Sequence, residues 1–496
     1  MKVFLTDLPA FLYDNTRHFN YGSRFGCSDP VTYDSGIKDH YTIYPWSLGY
    51  SSAILRQNPD LKVKAIDGQA EDYNEIDLRN AINNFQPDVL VADLPTIGFS
   101  LMMRFLKHVK EDIKCKIVIT GLHGSGVPTE IMTENPFIDY ILTGEYELAL
   151  PDLLRSDEEG LGFKKVQGLY FRNNGGIQKT FPPSFNVPFD SLPYPDRDEL
   201  PVRNYHNFEV AGKPTVQMLT SRGCPFQCSF CNSTVYWPGG AYWTRSIPKV
   251  VDEMEFVKDR YKAKQIWFDD DITYVKHDRI RSLAREIMSR KLDLPWAFMG
   301  NVLLDEESLA LVAKAGAVGV AFGVESANPE VLKKIHKSWV SKERTMKFVK
   351  ACKKLGLWTH GDFMVGLPYE TRESILDTLD FAVELDLDST QYYAAQPLPG
   401  TPMFNQAKEN GWLVPDYMEH YDGNYETPLN YPWLSKTEIE ELMMECKRTV
   451  EKAQLRSFMK SPRRMWKYVK GRGLSYALRK AKTIMFSKDH VYVAGT

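Results

Sequence analysis

Twice along this chain, short apolar runs alternate with helix-like stretches, and that rhythm confines it to α/β architectures built on parallel sheets. The first series reads KVFLTDL, VKAIDG, DVLVADL, KIVITGL and DYILTGE, with helical segments such as Leu101–Glu111 between the runs. The second reads PTVQMLTSRG, QIWFDDD, AFMGNV, GVAFGVES, THGDFMVGLP and STQYYAAQPLP, with helices expected to begin near Pro248, Lys276, Asp305, Ser341 and Thr371. Between the two series lie Pro182, Pro183, Pro188, Pro193, Pro195 and Pro201, the punctuation of an extended connector, with a small hairpin expected around Gly175-Gly176.

The expected fold class is therefore α/β, in four parts. Residues 1–155 form a doubly wound, Rossmann-like parallel sheet domain, and 156–211 a proline-rich linker. Residues 212–402 form a partial (β/α)6 TIM-like barrel, because six units are too few to close an eight-stranded one. Residues 403–496 form a basic, helical C-terminal region. In both sheet types, ligands sit beyond the carboxyl ends of the strands. In the first domain those ends carry Thr120-Gly121-Leu122-His123-Gly124-Ser125-Gly126 and Thr143-Gly144-Glu145.

The tail from Lys447 to Lys488 holds 14 Lys or Arg against one acidic residue, Glu451, with Phe458, Trp466, Tyr468, Tyr476 and Phe486 interleaved. The whole chain has a net charge of −3, so this segregation is local; no global field draws it to nucleic acid, and DNA is not expected as a partner. The tail reads as solvated helix faces, as a basic amphipathic surface that meets an anionic membrane peripherally, or, third, as a surface for RNA. No apolar run approaches the ~18–20 residues of a membrane-spanning helix. The opening MKVFLTDLPAF, broken by Asp7 and Pro9, reads as a first strand.

Cys224-Pro225-Phe226-Gln227-Cys228-Ser229-Phe230-Cys231 is the sharpest local signal. The other four cysteines, Cys27, Cys115, Cys352 and Cys446, are scattered, which argues for a metal site in a reducing, cytoplasmic setting over a disulfide framework. Three thiolates on one loop can each ligate one iron of a cubane cluster and leave the fourth iron open. A closed zinc site needs a fourth ligand, and none lies at nearby spacing.

CxxxCxxC after the first strand of a six-unit barrel resembles the radical S-adenosylmethionine superfamily, over about Thr215 to Pro402. The resemblance implies that Cys224, Cys228 and Cys231 hold a 4Fe-4S cluster, that its open iron chelates S-adenosylmethionine, and that reductive cleavage yields a 5′-deoxyadenosyl radical. It also implies cofactor contacts from Phe230 inside the triad and from Asp269, Asp270 and Asp271 at the second strand end, toward the methionyl ammonium. A helix cap is the competing reading of the three aspartates. Glu325, at the fourth strand end, resembles the acid that reaches the ribose hydroxyls, a role suited to a carboxylate that accepts two charge-assisted bonds. The segment carrying Gly366 resembles the stretch that packs on the adenine, and Gln396 begins a sixth-strand exit seen in many members.

The order of doubly wound domain, connector, triad barrel and basic tail further resembles the branch with an N-terminal cobalamin-binding domain. Methylases of unactivated carbons, the anaerobic magnesium-protoporphyrin monomethyl ester cyclase and hopanoid-modifying enzymes belong to it. That likeness rests on Tyr44-Pro45-Trp46-Ser47-Leu48-Gly49, the loop around His123, and Gly144-Glu145-Tyr146-Glu147. It implies cobalamin contacts from Gly121, His123, Gly144 and Glu145. The chain has no DxHxxG, so the lower axial position of the cobalt is expected to lack a protein histidine. It also has no GxGxxG after the first strand, so a dinucleotide cradle is not supported.

The expected activity is cobalamin-dependent methyl transfer to an unactivated carbon through the 5′-deoxyadenosyl radical. Oxidative cyclisation or ring contraction with the same cofactors is the alternative, and a non-catalytic corrinoid or iron-sulfur carrier a second one. The expected partners are a small-molecule substrate, lipid-like or planar, and an external electron donor such as flavodoxin or ferredoxin. Trp237, Tyr242 and Trp243 either line a pocket or pack a long loop, and only one of Tyr392 and Tyr393 can point into the barrel.

Overall fold

In the computed structural model, residues 1–8, 42–183, 189–205, 210–421 and 425–461 are described. The strands of the first sheet are β1 (Lys2–Asp7), β2 (Lys62–Asp67), β3 (Val89–Asp93), β4 (Lys116–Thr120), β5 (Tyr140–Leu142), β6 (Leu169–Asn173) and β7 (Gly176–Lys179). Their order is β2-β1-β3-β4-β5-β6-β7, with the first five parallel and the last two antiparallel. Both faces of the parallel strands are covered: Val3, Leu5, Val91 and Val118 pack into one core, and Phe4, Leu90, Ala92, Ile117 and Ile119 into another. This double burial makes the central strands β1, β3 and β4 near-continuous apolar runs, whereas the edge strand β2 exposes Lys62 and Lys64.

The hairpin expected around Gly175-Gly176 is present as β6 and β7, but it joins the edge of the first sheet and does not stand in a linker. The first domain therefore continues past residue 155 to Lys179. These strands are mostly half-buried or exposed, so they carry no apolar run to announce them. The rest of the connector is docked as well. Arg197 pairs with Glu253 at 2.7 Å, each side chain 1% exposed, and donates to the Gln217 carbonyl at 2.9 Å.

The remaining strands are β8 (Thr215–Met218), β9 (Ser221–Gly223), β10 (Tyr242–Thr244), β11 (Gln265–Phe268), β12 (Trp296–Gly300), β13 (Ala317–Glu325), β14 (Trp358–Val365) and β15 (Ser389–Ala394). β8 and β11 to β15 form an all-parallel six-stranded sheet in sequential order, the partial barrel. Its helices start where the hydroxyl and acidic residues predict: Asp305, Ser341 and Thr371 each accept a backbone N–H at the helix start, from Ser308, Arg344 and Ser374. Outward residues such as Val320, Phe322, Phe363 and Tyr392 pack against the helices, whereas Trp267, Ala297 and Ala321 form a separate inner layer.

The open edge at β15 is covered by the helix Lys436–Lys460, whose Ile439, Leu442, Met443, Cys446 and Val450 are buried in the barrel core. Beyond Ser461 the basic tail lies outside the described residues. No helix among the described residues is long and apolar enough to cross a membrane.

Candidate functional site

The cysteine loop leaves the barrel at the carboxyl end of β8. At its base, β9 pairs antiparallel with β10, so residues 224–241 form a loop closed by a two-stranded ribbon. Gly223 sits at φ +79°, and a Cβ there would lie 2.1 Å from the Ala241 carbonyl oxygen, so this entry point to the triad requires glycine. The loop is also held from outside: the Ser229 N–H donates to the Ile335 carbonyl at 3.1 Å, and the Met403 N–H to the Ser229 carbonyl at 2.9 Å.

Cys224, Cys228 and Cys231 are free thiols, Cys228 fully buried and the other two partly exposed. Burial pushes all three up, Cys228 to about 12, and Cys231 further raises both Cys224 and Cys228. The Ser233 hydroxyl donates to Cys231 Sγ at 3.2 Å, a contact that favours thiolate. Three cysteines on one loop suit a cubane cluster with one open iron better than closed zinc, which needs four ligands; among the described residues the side chains do not form a ready-made group of three metal ligands. Phe230 between them packs against the barrel core.

The three consecutive aspartates divide their work. Asp270 is fully buried and accepts the backbone N–H groups of Thr220 at 2.7 Å and Ser221 at 2.6 Å, and the Thr220 hydroxyl at 3.0 Å. Asp271 accepts the Gly223 N–H at 3.0 Å. Both thus shape the turn that leads to Cys224. Asp269 accepts the indole N–H of Trp46, in the first domain, at 2.8 Å, and that of Trp267 at 3.2 Å. Sequence reasoning assigned all three to a ligand or a cap and had no signal for the turn or for the contact across domains.

Glu325 ends β13 at φ +65°, a left-handed backbone unusual for a glutamate, and its buried carboxylate meets Lys337 Nζ at 2.6 Å. Lys337 is a site residue that no motif announced. Gly366, at φ +88°, abuts Ile439 of the C-terminal helix and its carbonyl accepts the Tyr431 hydroxyl at 2.9 Å. The Gln396 side-chain amide donates to the Glu426 carbonyl. Tyr392 stacks on Phe363 in the outer core, and Tyr393 reaches Asp362 at 3.4 Å on the opposite face of the sheet.

In the first domain, the strand order reverses between β1 and β3, and the crevice at such a switch point is where open α/β sheets take ligands. The strands there end in Asp7, Asp93 and Thr120. Asp93 is buried, accepts the Tyr146 hydroxyl at 3.2 Å through one oxygen and has no hydrogen-bond partner on the other. Burial lifts its carboxyl to about 7. Gly121 follows β4 at φ +91°, where a Cβ would lie 2.2 Å from Asp93 Oδ1. Gly144 takes a hydrogen bond from its N–H to the Ser125 hydroxyl at 2.9 Å, which joins the two glycine-bearing loops. His123 is buried 3.9 Å from the Phe99 ring, within 3.3 Å of the Thr96 hydroxyl, and burial alone drops its pKa to about 3. It is a neutral packed ring.

Glu145 and Glu147 face the barrel. Both pair with Arg222, Glu145 at 2.7 Å, and the guanidinium lies 4.7 Å from the rings of both Tyr50 and Phe189. Arg222 stands two residues before Cys224, so an acidic strand end of one domain is joined to the cysteine loop of the other. Between them lies a small cavity of about 20 Å³ lined by Trp46, Ser47, Asp93, Glu145, Arg222, Tyr236 and Trp237. Trp237 thus both lines the cavity and packs on Leu122 and Tyr236.

The Radical SAM superfamily model matches residues 218–382, the stretch from the end of β8 into the helix after β14. An uncharacterized methyltransferase of Pyrococcus horikoshii is 32% identical over 375 residues, covering 75% of this chain and 80% of that one. The chain belongs to the radical S-adenosylmethionine superfamily. Further relatives of this radical S-adenosylmethionine protein are the cytidylyl-2-hydroxyethylphosphonate methyltransferase of Streptomyces wedmorensis (26% identical; 85% of this chain, 88% of that one) and the anaerobic magnesium-protoporphyrin IX monomethyl ester cyclase of Rubrivivax gelatinosus (25%; 90% and 84%). Its fold is shared with the cobalamin-dependent S-adenosylmethionine radical enzyme OxsB, at a TM-score of 0.69 and 16% identity over 98% of this chain and 72% of that one.

Proposed function

We propose that this radical S-adenosylmethionine enzyme is a cobalamin-dependent methyltransferase acting on an unactivated carbon. The observation that carries the reading is the meeting of the two strand-end regions. The cysteine loop, through Arg222, and the switch-point crevice of the first domain, through Asp93 and Glu145, line one space between the domains.

When bound, a 4Fe-4S cluster supplies the electron that cleaves S-adenosylmethionine to a 5′-deoxyadenosyl radical, and cobalamin supplies the methyl group. The chain's own residues do the rest. Cys224, Cys228 and Cys231 hold the cluster, while Asp270 and Asp271 fix the turn that presents them. Glu325 offers a buried carboxylate to the nucleoside diol. Gly121 keeps the crevice floor clear of a side chain, and Asp93 presents an unsatisfied acceptor oxygen. His123 is left out of the cobalt ligand set, because it is packed against Phe99.

The aromatic side chains of Trp46, Tyr236 and Trp237 where the domains meet support a small-molecule substrate with a planar or lipid-like portion. The electron is assigned to an external low-potential donor such as flavodoxin or ferredoxin. Peripheral membrane contact through the basic tail rests on its sequence alone.

The test is reconstitution of the full chain without oxygen, with iron, sulfide and cobalamin, followed by reduction in the presence of S-adenosylmethionine labelled in its methyl group. The expected results are bound iron and corrinoid, release of 5′-deoxyadenosine, and label in a methylated product. Cys224→Ala, Cys228→Ala and Cys231→Ala should each lose the iron. The similarity to the cyclase over 90% of this chain supports a second reading, radical oxidation without methyl transfer. 5′-Deoxyadenosine with an altered but unlabelled product would select it, and absence of 5′-deoxyadenosine from fully loaded protein would exclude both.

A further inference from the structure

The segment Ile335–Trp339 clasps the cysteine loop. The Ser229 N–H donates to the Ile335 carbonyl at 3.1 Å, the His336 ring nitrogen lies 3.2 Å from the Gln227 carbonyl, and the rings of Phe226 and Trp339 stand 4.6 Å apart. At the centre of this clasp is Lys337, whose side chain is 7% exposed. A buried ammonium is costly unless it is compensated, so its position calls for an explanation.

Three features of the chain serve that position. Glu325 adopts φ +65° to meet Nζ at 2.6 Å. Gly323 leaves room for the pair: a Cβ there would lie 2.1 Å from Glu325 Oε1 and 2.8 Å from Lys337 Nζ. The Trp339 ring lies 5.2 Å from the ammonium and adds a cation–π contact. The clasp sets this ammonium in the segment that contacts Phe226, Gln227 and Ser229, residues between Cys224 and Cys231.

We propose that Lys337 is the counter-cation of the cysteine site, raising the reduction potential of an iron-sulfur cluster held there, with Glu325 setting the opposite bias. The inference rests on the triad being a cluster site. Its physics is charge: reduction adds an electron to an already anionic centre, and a buried cation in the segment that clasps the cysteine loop stabilises the reduced state. The same low-dielectric surroundings that make the ammonium costly make its effect on the cluster large.

The experiment is a potentiometric titration, followed by electron paramagnetic resonance, of the full chain loaded with iron and sulfide and free of S-adenosylmethionine, with iron content measured for each variant. Lys337→Met should shift the midpoint to more negative potential, Lys337→Arg should stay near the native value, and Glu325→Gln should shift it the other way. The opposite signs separate charge from mere disturbance of packing. An unchanged midpoint in Lys337→Met with full iron content would overturn the proposal, as would a Glu325→Gln shift of the same sign as Lys337→Met. If Lys337→Met holds no iron, recovery in Lys337→Arg supports the need for a cation, and loss in both with the far-ultraviolet circular dichroism intact overturns it. Failure of the underlying reading shows separately, as a native chain that binds no more iron than Cys228→Ala.

Discussion

The two parallel sheets both end in carboxylates, and they use them differently. At the strand ends of the first domain, Glu145 and Glu147 reach out of the domain to Arg222, and Trp46 reaches across to Asp269. At the barrel mouth, Asp270, Asp271 and Glu325 turn inward to the barrel's own loop and its own lysine. The first arrangement fixes the distance between two domains, and the second fixes the shape of one loop. A site divided between two cofactors needs both, because neither domain alone surrounds the cavity.

Arg222→Met gives the largest expected break. Two buried carboxylates would lose their cation, a loss of about 3–5 kcal/mol for a buried pair, read in urea or thermal unfolding. Adding Glu147→Gln should restore part of it, and no recovery would mean that Arg222 acts by packing on Tyr50 and Phe189. Gly126→Ala is next. A Cβ there would lie 2.2 Å from the Pro399 carbonyl oxygen, so the domains must separate locally, at about 1–3 kcal/mol, with faster proteolysis at the junction. Unchanged proteolysis would show that the contact yields without strain.

Trp46→Phe removes one donor from Asp269 and leaves the Trp267 indole, so a smaller loss of about 1–2 kcal/mol is expected in the same unfolding measurement. Thr371→Ala serves as the contrast on the barrel side. It deletes a helix cap and should cost about 1 kcal/mol without changing proteolysis between the domains. A junction sensitive to Thr371→Ala would erase the distinction between outward and inward carboxylates.

The six barrel strands were legible because most are buried runs that alternate with helices, three of which start at a side-chain cap, Asp305, Ser341 and Thr371. The triad was legible because its spacing is local. The hairpin at Gly175-Gly176 was legible as a hairpin but not as part of the sheet, since a strand with a half-exposed edge carries no apolar run. Lys337 was not legible: it lies 106 positions beyond Cys231 and is brought to the cysteine loop only by the clasp of residues 335–339.

By itself, then, the sequence determined what is written in periods and short spacings: two parallel sheets, a three-cysteine loop, and a strand-end location for the chemistry. Only the tertiary structure decided which partners within the chain each acid meets: Asp270 accepts from Thr220 and Ser221, and Glu145 pairs with Arg222. The reason is physical: periodicity reports which face of an element is buried, but a charge takes its role from the partner it meets, and those partners come from distant parts of the chain.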